Sequence, residues 1–332
     1  MRTTRTAAAL LAACALAVVA GCSSSGGKGA DEKPAGDGAG GEAAKTPRMK
    51  IAMVTHSGQG DTFWDIVQSG AKVAARKDNV DFLYAAHPEG KEQAQLIQTY
   101  IDQKVDGIIV TLAKPEAVSA VVKKAVAAGI PVVTINSGAE FSKGLGALGH
   151  IGQDESVAGE AVGEELGEQG KKKALCVIHE QGNVSLEARC AGVKKTFGGT
   201  VENLNVEGTN MPATTSSIEA KLQSAKDIDA VVTLGAPFAA ASVKARQGAG
   251  STAEISTFDL NAEVVKRLKA KEITFAVDQQ PYLQGYLAVD ELWLNKVNGN
   301  VIGGGKPVLT GPALVTEKDV PALEKLTAAG TR

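Results

Sequence analysis

The chain has 332 residues and a formal net charge of −2; 44% of its residues are hydrophobic and 4% are aromatic. This balance does not suit a nucleic-acid-binding protein, because such proteins gather lysine and arginine on one face. The one short basic run, KKK at 171–173, is interpreted as part of a solvated loop. We therefore expect no nucleic-acid partner.

The N-terminus has the pattern of an export signal. Arg2 and Arg5 precede an apolar stretch over residues 7–20 that is too short to span a bilayer comfortably. The stretch ends in VAGC, which resembles the lipobox of bacterial lipoproteins, whose cysteine is acylated and becomes the mature N-terminus. We predict a lipoprotein signal peptide over residues 1–21 and lipidation of Cys22. The alternative is an ordinary secretory signal with an incidental cysteine.

Residues 22–48 are rich in Gly, Ser, Ala and charged residues and show no periodic apolar pattern. Such a composition cannot bury enough surface to fold, so this segment is predicted to be a flexible tether. Loss of residues 1–21 takes away two arginines and lowers the formal net charge from −2 to −4. The residues from 49 onward are enough for two modest domains.

From residue 49 the chain alternates between short apolar runs and segments with helical spacing. This alternation predicts parallel sheets with helices on both faces, an α/β fold. Ligands of such sheets bind outside the carboxyl ends of the strands, so the residues that follow each strand are the candidates for a site. The predicted strands cover residues 50–55, 81–86, 107–112, 131–136, 147–151, 174–179, 201–206, 230–234, 254–258 and 273–277.

No cofactor or metal site is expected. The GxGxxG match at 144–149 precedes a strand instead of joining a strand to a helix, so its amides would not face a pyrophosphate. The histidines His56, His87, His150 and His179 lack the close pairing of zinc ligands. A GxSxG nucleophile elbow is also missing.

The order of motifs resembles the type I periplasmic sugar-binding proteins, the ribose, galactose and inositol receptors of ABC importers. The resemblance covers the chain from residue 49 onward, and it rests on the succession of motifs rather than on any one of them. These motifs are KIAMVT, GDTFWDIVQSGA, VDGIIVTLAKPEAV, AAGIPVVTINSG, HIGQDESVAGE, DAVVTLGAP, STFDLN and FAVDQQPYLQGY.

The resemblance implies two similar doubly wound lobes that close over a sugar and are joined by three chain crossings. The crossings would fall near Gly152, Gln280 and Thr310. The N-terminal lobe would then comprise residues 49–152 and 280–310, and the C-terminal lobe residues 153–279 and 311–332.

The site implied by the resemblance begins at the first strand-to-helix turn. Phe63 and Trp64 stand where the ribose-binding pattern has paired phenylalanines, and Asp61 stands at a hydroxyl-binding position. Aromatic rings suit the C–H face of a sugar, and charged or amide groups suit its hydroxyls. We expect at least one of the two rings to stack on the ligand. Packing of both rings in the core is the alternative.

The other strand ends supply further candidates for binding sugar hydroxyls. Arg189 would offer a fixed fork of donors, and Asp259 would accept hydrogen bonds. A helix-surface charge is the alternative for Arg189, and a hinge role is left open for Asp278. The predicted ligand-binding residues are Asp61, Phe63, Trp64, Thr111, Asn136, Arg189, Asp259 and Gln279, and His56, His179, Glu180 and Asn183 remain possible additions.

The chain also departs from the ribose pattern, which has Asn, an Asp-Arg pair and Asn where this chain has Thr111, Asn136-Ser137 and Gly235. The charged Asp-Arg pair is therefore missing at Asn136-Ser137, and the Asn side chain is missing at Gly235. We expect a ligand other than ribose, and we expect Gly235 to open room for a larger one, such as a hexose, a polyol or a derivative.

The function implied is that of a monomeric, non-enzymatic receptor, anchored by lipid at the outer face of the cytoplasmic membrane. It would deliver a sugar or polyol to an ABC permease that works with a cytoplasmic ATPase. Two alternatives stay open. One is an exported carbohydrate hydrolase that uses Asp61, Asp259 or Asp278 as an acid/base pair. The other is a sensory domain that reports the sugar to a membrane partner.

Two of the four cysteines remain once Cys14 leaves with the signal peptide and Cys22 takes the lipid. Cys176 lies about 10 Å below the carboxyl end of its strand, and Cys190 lies about 8 Å down the following helix. They are therefore at one level of a βα unit in a chain bound for an oxidising compartment. We predict a disulfide between them, with two buried reduced thiols as the alternative.

Overall fold

The structure is a computed structural model that describes residues 43–58 and 61–332. The predicted signal peptide, Cys22 and most of the predicted tether lie outside these residues. The strands are β1 (Met49–Thr55), β2 (Val80–Ala86), β3 (Gly107–Val110), β4 (Val132–Ile135), β5 (His150–Gly152), β6 (Lys173–Ile178), β7 (Thr200–Asn205), β8 (Ala230–Thr233), β9 (Glu254–Phe258), β10 (Ala276–Asp278), β11 (Val308–Leu309) and β12 (Ala313–Val315).

Helices alternate with these strands along most of the chain. They are α1 (Thr62–Lys77), α2 (Gly90–Asp102), α3 (Pro115–Ala127), α4 (Ala139–Ser142), α5 (Glu155–Glu168), α6 (Val184–Thr196), α7 (Met211–Ser224), α8 (Ala236–Ala249), α9 (Ala262–Lys269), α10 (Pro281–Asn298) and α11 (Val320–Ala328).

Within the described part of the chain, the strands form two sheets of six. The first has the order β11-β5-β4-β3-β1-β2, and its neighbouring strands are all parallel. The second has the order β12-β10-β9-β8-β6-β7 and is parallel except at β12, which runs antiparallel to β10. We call the halves built on these sheets the N-terminal lobe and the C-terminal lobe. The predicted fold class, two α/β lobes with parallel sheets, is confirmed.

Both sheets are covered by helices on both faces, and this explains why their central strands are continuous apolar runs. In the N-terminal lobe, α1 and α10 cover one face, and α2 and α3 cover the other. In the C-terminal lobe, α5 and α6 cover one face, while α7, α8, α9 and α11 cover the other. Each lobe therefore holds two apolar layers separated by its sheet.

The chain passes between the sheets three times. It leaves the first sheet after β5, returns to pack α10 against α1 after β10, and crosses again between β11 and β12. The two short strands β11 and β12 were not among the predicted strands. The strand predicted at 273–277 begins at Ala276 instead, and the one predicted at 147–151 begins at His150.

Cys176 on β6 and Cys190 on α6 are joined in a disulfide, with their Cα atoms 6.0 Å apart. Both residues are buried between the sheet and the helix. The bridge ties α6 to the strand beneath it, and α6 carries Arg189, one of the predicted ligand-binding residues. The disulfide therefore anchors the helix residue that directly follows Arg189.

Candidate functional site

A cavity of about 150 Å³ lies between the two lobes, beside the carboxyl ends of strands from both sheets. This is roughly ten times the volume that one water molecule requires, so a small organic molecule fits. Seven of the eight predicted ligand-binding residues line it: Asp61, Phe63, Trp64, Asn136, Arg189, Asp259 and Gln279.

The aromatic pair of the N-terminal lobe both lines the cavity and belongs to the core. Phe63 and Trp64 lie in the first turn of α1, and both are buried among apolar residues of the lobe. Their ring centroids are 5.1 Å apart, and the ring planes meet at 79°. Because the rings are nearly perpendicular, they cannot both lie flat against the same ligand ring.

Asp61 is the N-cap of α1, and its side chain accepts a hydrogen bond from the backbone N–H of Phe63 at 3.1 Å. An aspartate at this position satisfies a free amide of the helix and interacts favourably with the helix dipole. Burial nevertheless raises the pKa of Asp61 to about 6, and the nearby Glu180 acts in the same direction. Asp61 is therefore an acid that faces the cavity and has a pKa above its ordinary value.

A hydrogen-bonded chain of amides joins the lobes at the back of the cavity. The amide of Asn136 donates to Oε1 of Gln279 at 3.1 Å, and Nε2 of Gln279 donates to Oδ1 of Asp259 at 2.6 Å. The hydroxyl of Ser137 donates to Oδ1 of Asn136 at 2.7 Å. The network runs from the N-terminal lobe through the crossing residue Gln279 to the C-terminal lobe.

The backbone at two of these residues is left-handed. Asn136 has a φ of 63° and Asp259 a φ of 69°, and each follows a strand directly. Asn and Asp are the side chains that tolerate this conformation best, and it clusters at functional sites. Burial raises the pKa of Asp259 to about 7, although Arg189 and Gln279 oppose the shift. One oxygen of Asp259 is held by Gln279, and the residue faces the cavity.

Arg189 of α6 is held on three sides. Its Nε and Nη2 donate to the two carboxylate oxygens of Glu155 at 2.5 and 2.9 Å, and Nη1 donates to the carbonyl of Leu234 at 3.0 Å. The guanidinium lies 4.6 Å from the centre of the buried Phe258 ring. Since a guanidinium has five N–H donors, two remain for a ligand. The alternative of an exposed helix-surface charge is wrong, because Arg189 is buried.

A second aromatic pair stands in the C-terminal lobe, where His179 and Phe238 stack with centroids 3.9 Å apart and an interplanar angle of 17°. Both line the cavity. A Cβ atom built on Gly235 would lie 3.3 Å from His179 and 3.4 Å from Phe238. Gly235 itself lines the cavity, and a side chain at this position would contact the stacked rings. Burial lowers the pKa of His179 to about 3, so its ring is neutral.

His56 follows β1 and faces the cavity between the lobes. Its Nδ1 lies 2.8 Å from Oγ1 of Thr111, and its Nε2 lies 3.4 Å from the amide nitrogen of Asn183 and 3.9 Å from Glu180. Burial lowers the pKa of His56, although Glu180 opposes the shift. His56, His179, Glu180 and Asn183, left open by the sequence, all line the cavity.

Thr111 lies behind the cavity and does not line it, so the prediction that Thr111 binds the ligand is corrected. The residue is fully buried, and its hydroxyl oxygen accepts from the backbone N–H of His56 and from the amide of Gln93, both at 3.1 Å. The same hydroxyl oxygen lies 2.8 Å from Nδ1 of His56. Thr111 therefore orients the imidazole of His56 from behind the cavity.

The two lobes touch at the front of the cavity as well as at the crossings. Nζ of Lys114 lies 3.3 Å from the carboxylate of Glu180, and the backbone N–H of Val184 donates to the carbonyl of Ala113 at 3.0 Å. Lys114 and Ala113 belong to the N-terminal lobe, and the other two residues to the C-terminal lobe. The cleft is thus closed in this structure.

Asp278 lies at a crossing and does not line the cavity. Its carboxylate accepts from the backbone N–H of Gln280 at 2.9 Å and pairs with Arg332 at 2.6 Å. The structure therefore favours the hinge role for Asp278 over contact with a ligand in the cavity.

Within residues 43–58 and 61–332, no cluster of three or more metal-binding side chains exists. The same part of the chain has no helix that is long and apolar enough to cross a membrane.

The family model for the periplasmic binding protein domain matches residues 51–299. The chain belongs to the periplasmic binding protein family. Among curated relatives, the ribose import binding protein of Bacillus subtilis is 25% identical over 233 residues, which cover 69% of this chain and 75% of that protein. The xylose/arabinose-binding protein of Sulfolobus acidocaldarius is 23% identical, and the match covers 79% of this chain and 70% of that protein.

Solved structures give the same family. A carbohydrate transporter from Acidothermus cellulolyticus in complex with myo-inositol is 48% identical and has a TM-score of 0.85, covering 86% of this chain and all of that one. An ABC transporter solute-binding protein from Burkholderia graminis in complex with D-arabinose is 26% identical, with a TM-score of 0.73 and coverage of 82% and 96%. The relatives are sugar-binding transport proteins rather than enzymes. This periplasmic binding protein therefore belongs to the sugar-binding, type I group.

Phe238 and Glu155 were not among the residues predicted for the site. Phe238 lies in the first turn of α8, shortly after the end of β8, so an aromatic residue close to a strand end was the available signal. Glu155 faces Arg189 only because α5 and α6 pack together. That contact depends on tertiary structure, and no local pattern indicates it.

Proposed function

We propose that this protein is a lipid-anchored receptor that captures a cyclic polyol or monosaccharide between its lobes and delivers it to an ABC importer permease. Myo-inositol is the first candidate ligand. The observation that carries the proposal is the closed cavity, walled by aromatic rings, carboxylates, amides and a guanidinium from both lobes. The 48% identity to a carbohydrate transporter in complex with myo-inositol supports the choice of candidate.

The chemistry of the cavity suits a ring that carries several hydroxyl groups. Asp61 and Asp259 accept hydrogen bonds, Arg189 donates them, and Asn136 offers both kinds of group. Trp64 supplies an apolar surface for the C–H groups of the ring. A ligand that lacks these hydroxyls would leave buried polar groups without partners, and such a mismatch is costly.

Binding and lobe closure are coupled in this proposal. Trp64 and Asn136 approach the ligand from the N-terminal lobe, and Arg189 and Asp259 approach it from the C-terminal lobe. Only the closed form makes both sets of contacts, so the ligand shifts an equilibrium from open to closed. A micromolar affinity corresponds to roughly −8 kcal/mol. The permease then recognises the closed arrangement of the lobes.

The anchor and the location rest on the sequence at the N-terminus. Lipidation of Cys22 would hold the receptor at the outer face of the cytoplasmic membrane, and residues 22–48 would let it reach the permease. Expression of the full chain in a bacterial host with a radiolabelled fatty acid tests this step. Label should be incorporated into the wild type and lost in Cys22→Ser. Equal labelling of both proteins would contradict the lipid anchor.

A thermal-shift panel of pentoses, hexoses, inositols and amino sugars tests the ligand class. We expect myo-inositol or a related cyclic polyol to raise the unfolding temperature in a saturable way, because the ligand binds the folded state only. Asp259→Asn should weaken the effect, while Asp227→Asn, an exposed control in the same lobe, should not. If no sugar or polyol stabilises the wild type, the proposal is wrong. Conversion of a panel sugar into product would instead indicate an enzyme.

A further inference from the structure

Glu155 neutralises Arg189, the one arginine among the described residues that lines the cavity. Both carboxylate oxygens of Glu155 accept from Arg189, at 2.5 and 2.9 Å, and the amide of Gln153 donates to the same carboxylate at 2.8 Å. Arg189 is 3% exposed and Glu155 8%, so water screens the pair very little. The positive charge of Arg189 is therefore compensated before any ligand arrives.

The pair is built into the packing of α5 against α6. A Cβ atom on Gly159 of α5 would lie 2.1 Å from the carbonyl oxygen of Arg189, and one on Gly192 of α6 would lie 2.4 Å from that of Ser156. Only glycine permits so close an approach of the two helices. This approach sets the first turn of α5, which carries Glu155, beside the guanidinium.

With Arg189 compensated, the remaining charges around the cavity are mainly acidic. Asp61, Glu180 and Asp259 line it, and Lys114, the other cation beside it in the described residues, pairs with Glu180 at 3.3 Å. His56 and His179 are held neutral by burial, which lowers the pKa of both. Burial is the main cause of the raised pKa values of Asp61 and Asp259, and the neighbouring acidic groups act in the same direction.

We propose that Glu155 sets the charge selectivity of the cavity, so that it admits neutral and amino-substituted cyclic polyols and excludes their phosphate and carboxylate derivatives. The inference rests on the proposed function, because it concerns the ligand of the same site. An anionic group would lie among Asp61, Glu180 and Asp259 without a free cation to meet it, and an uncompensated buried charge is costly. An ammonium group would instead meet a carboxylate. Glu155 acts through Arg189 and is a positioning residue.

Calorimetric titration at pH 7.5 with four ligands tests the proposal: myo-inositol, an aminodeoxyinositol, an inositol monophosphate, and an O-methyl inositol as a neutral ligand of increased size. We expect the amino compound to bind within about tenfold of myo-inositol or more tightly, and the phosphate to bind about 100-fold more weakly or worse, since close like charges cost several kcal/mol. Equal binding of phosphate and myo-inositol would overturn the proposal. Exclusion of the O-methyl ether as strong as that of the phosphate would show a steric cause and would also overturn it.

The role of Glu155 is tested by Glu155→Gln, which keeps the shape and removes the charge. The phosphate-to-inositol ratio of affinities should rise by about tenfold, the amino-to-inositol ratio should fall, and Glu160→Gln, which breaks a surface ion pair of the same helix with Lys195, should change neither. Unchanged ratios in a folded Glu155→Gln protein would overturn the assignment.

If Glu155→Gln does not fold, Asp61→Asn tests whether the acidic charge of the cavity excludes the phosphate. This variant removes one cavity acid without touching the pair, and it should raise the phosphate-to-inositol ratio. An unchanged ratio there would also contradict the charge balance on which the proposal rests. Failure of myo-inositol and of every neutral polyol to bind the wild type would be a different result, since it would overturn the proposed function and this inference together.

Discussion

Replacement of Arg189 separates its contribution to folding from its contribution to binding. In Arg189→Met, the carboxylate of Glu155 loses both of its guanidinium hydrogen bonds, and the carbonyl of Leu234 loses its side-chain donor. Removal of one partner from a buried ion pair costs about 3–5 kcal/mol because the other charge is left unpaired. The unfolding temperature should therefore fall by roughly 4–8 °C, since the entropy of unfolding is about 2.1 cal/mol/K per residue.

The effect on binding should be of similar size. Truncation of one partner in a buried charged contact costs about 2–5 kcal/mol of binding free energy. A micromolar Kd would then become roughly 30 µM to 5 mM, since each 1.4 kcal/mol is a factor of ten. Calorimetric titration measures the change in Kd, and differential scanning calorimetry of the unliganded protein measures the change in stability.

The double variant Arg189→Met with Glu155→Leu separates the loss of stability from the loss of binding. Replacement of a whole buried ion pair by apolar residues of similar volume is often neutral or stabilising, so most of the lost stability should return. Binding should stay weak, because the two free donors of Arg189 are still missing. A double variant that binds the ligand as the wild type does would refute a direct ligand contact by Arg189. Unchanged stability in the single variant would refute the buried pair itself.

Three further predictions concern Trp64, Asp259 and the disulfide. Trp64→Ala should weaken binding by about 1–3 kcal/mol and lower the free energy of unfolding by about 3–5 kcal/mol; unchanged affinity in a calorimetric titration would remove Trp64 from the site. Burial raises the pKa of Asp259 from 3.8 to about 7, so stability should fall as pH rises through that window. Asp259→Asn should lose this part of the fall in denaturant titrations of unliganded protein, and identical pH profiles would contradict it. Mass spectrometry after alkylation without reduction should find Cys176 linked to Cys190, and two alkylated thiols in the exported protein would contradict the bridge.

The fold follows closely from the sequence because strands buried on both faces must be continuous apolar runs. Each strand from β1 to β10 has a predicted counterpart. The strands β11 and β12, of two and three residues, escaped prediction because they pair only where the chain crosses between lobes. Such short segments carry no periodic pattern, and their partners are set by tertiary structure.

Site residues that directly follow strands could be predicted from the sequence. Residues whose role depends on burial or on packing between elements could not. Asn136 and Asp259 directly follow strands, and both line the cavity. Thr111 also follows a strand, yet it is buried behind the cavity and does not line it. The strand-end rule predicts which edge of the sheet carries the site, but it does not predict how far each side chain lies from the ligand. The absence of a side chain at Gly235 was visible in the sequence, but the stacked rings of His179 and Phe238 beside it were not.

Calorimetric titration of the wild-type protein with myo-inositol tests the central claim most directly. We predict saturable binding of one molecule per chain with a Kd near the micromolar range, or roughly −8 kcal/mol. Binding should weaken in Arg189→Met and stay unchanged in the exposed control Asp227→Asn. If neither myo-inositol nor any other neutral cyclic polyol or monosaccharide gives saturable binding, this cavity is not the sugar-binding site that we propose.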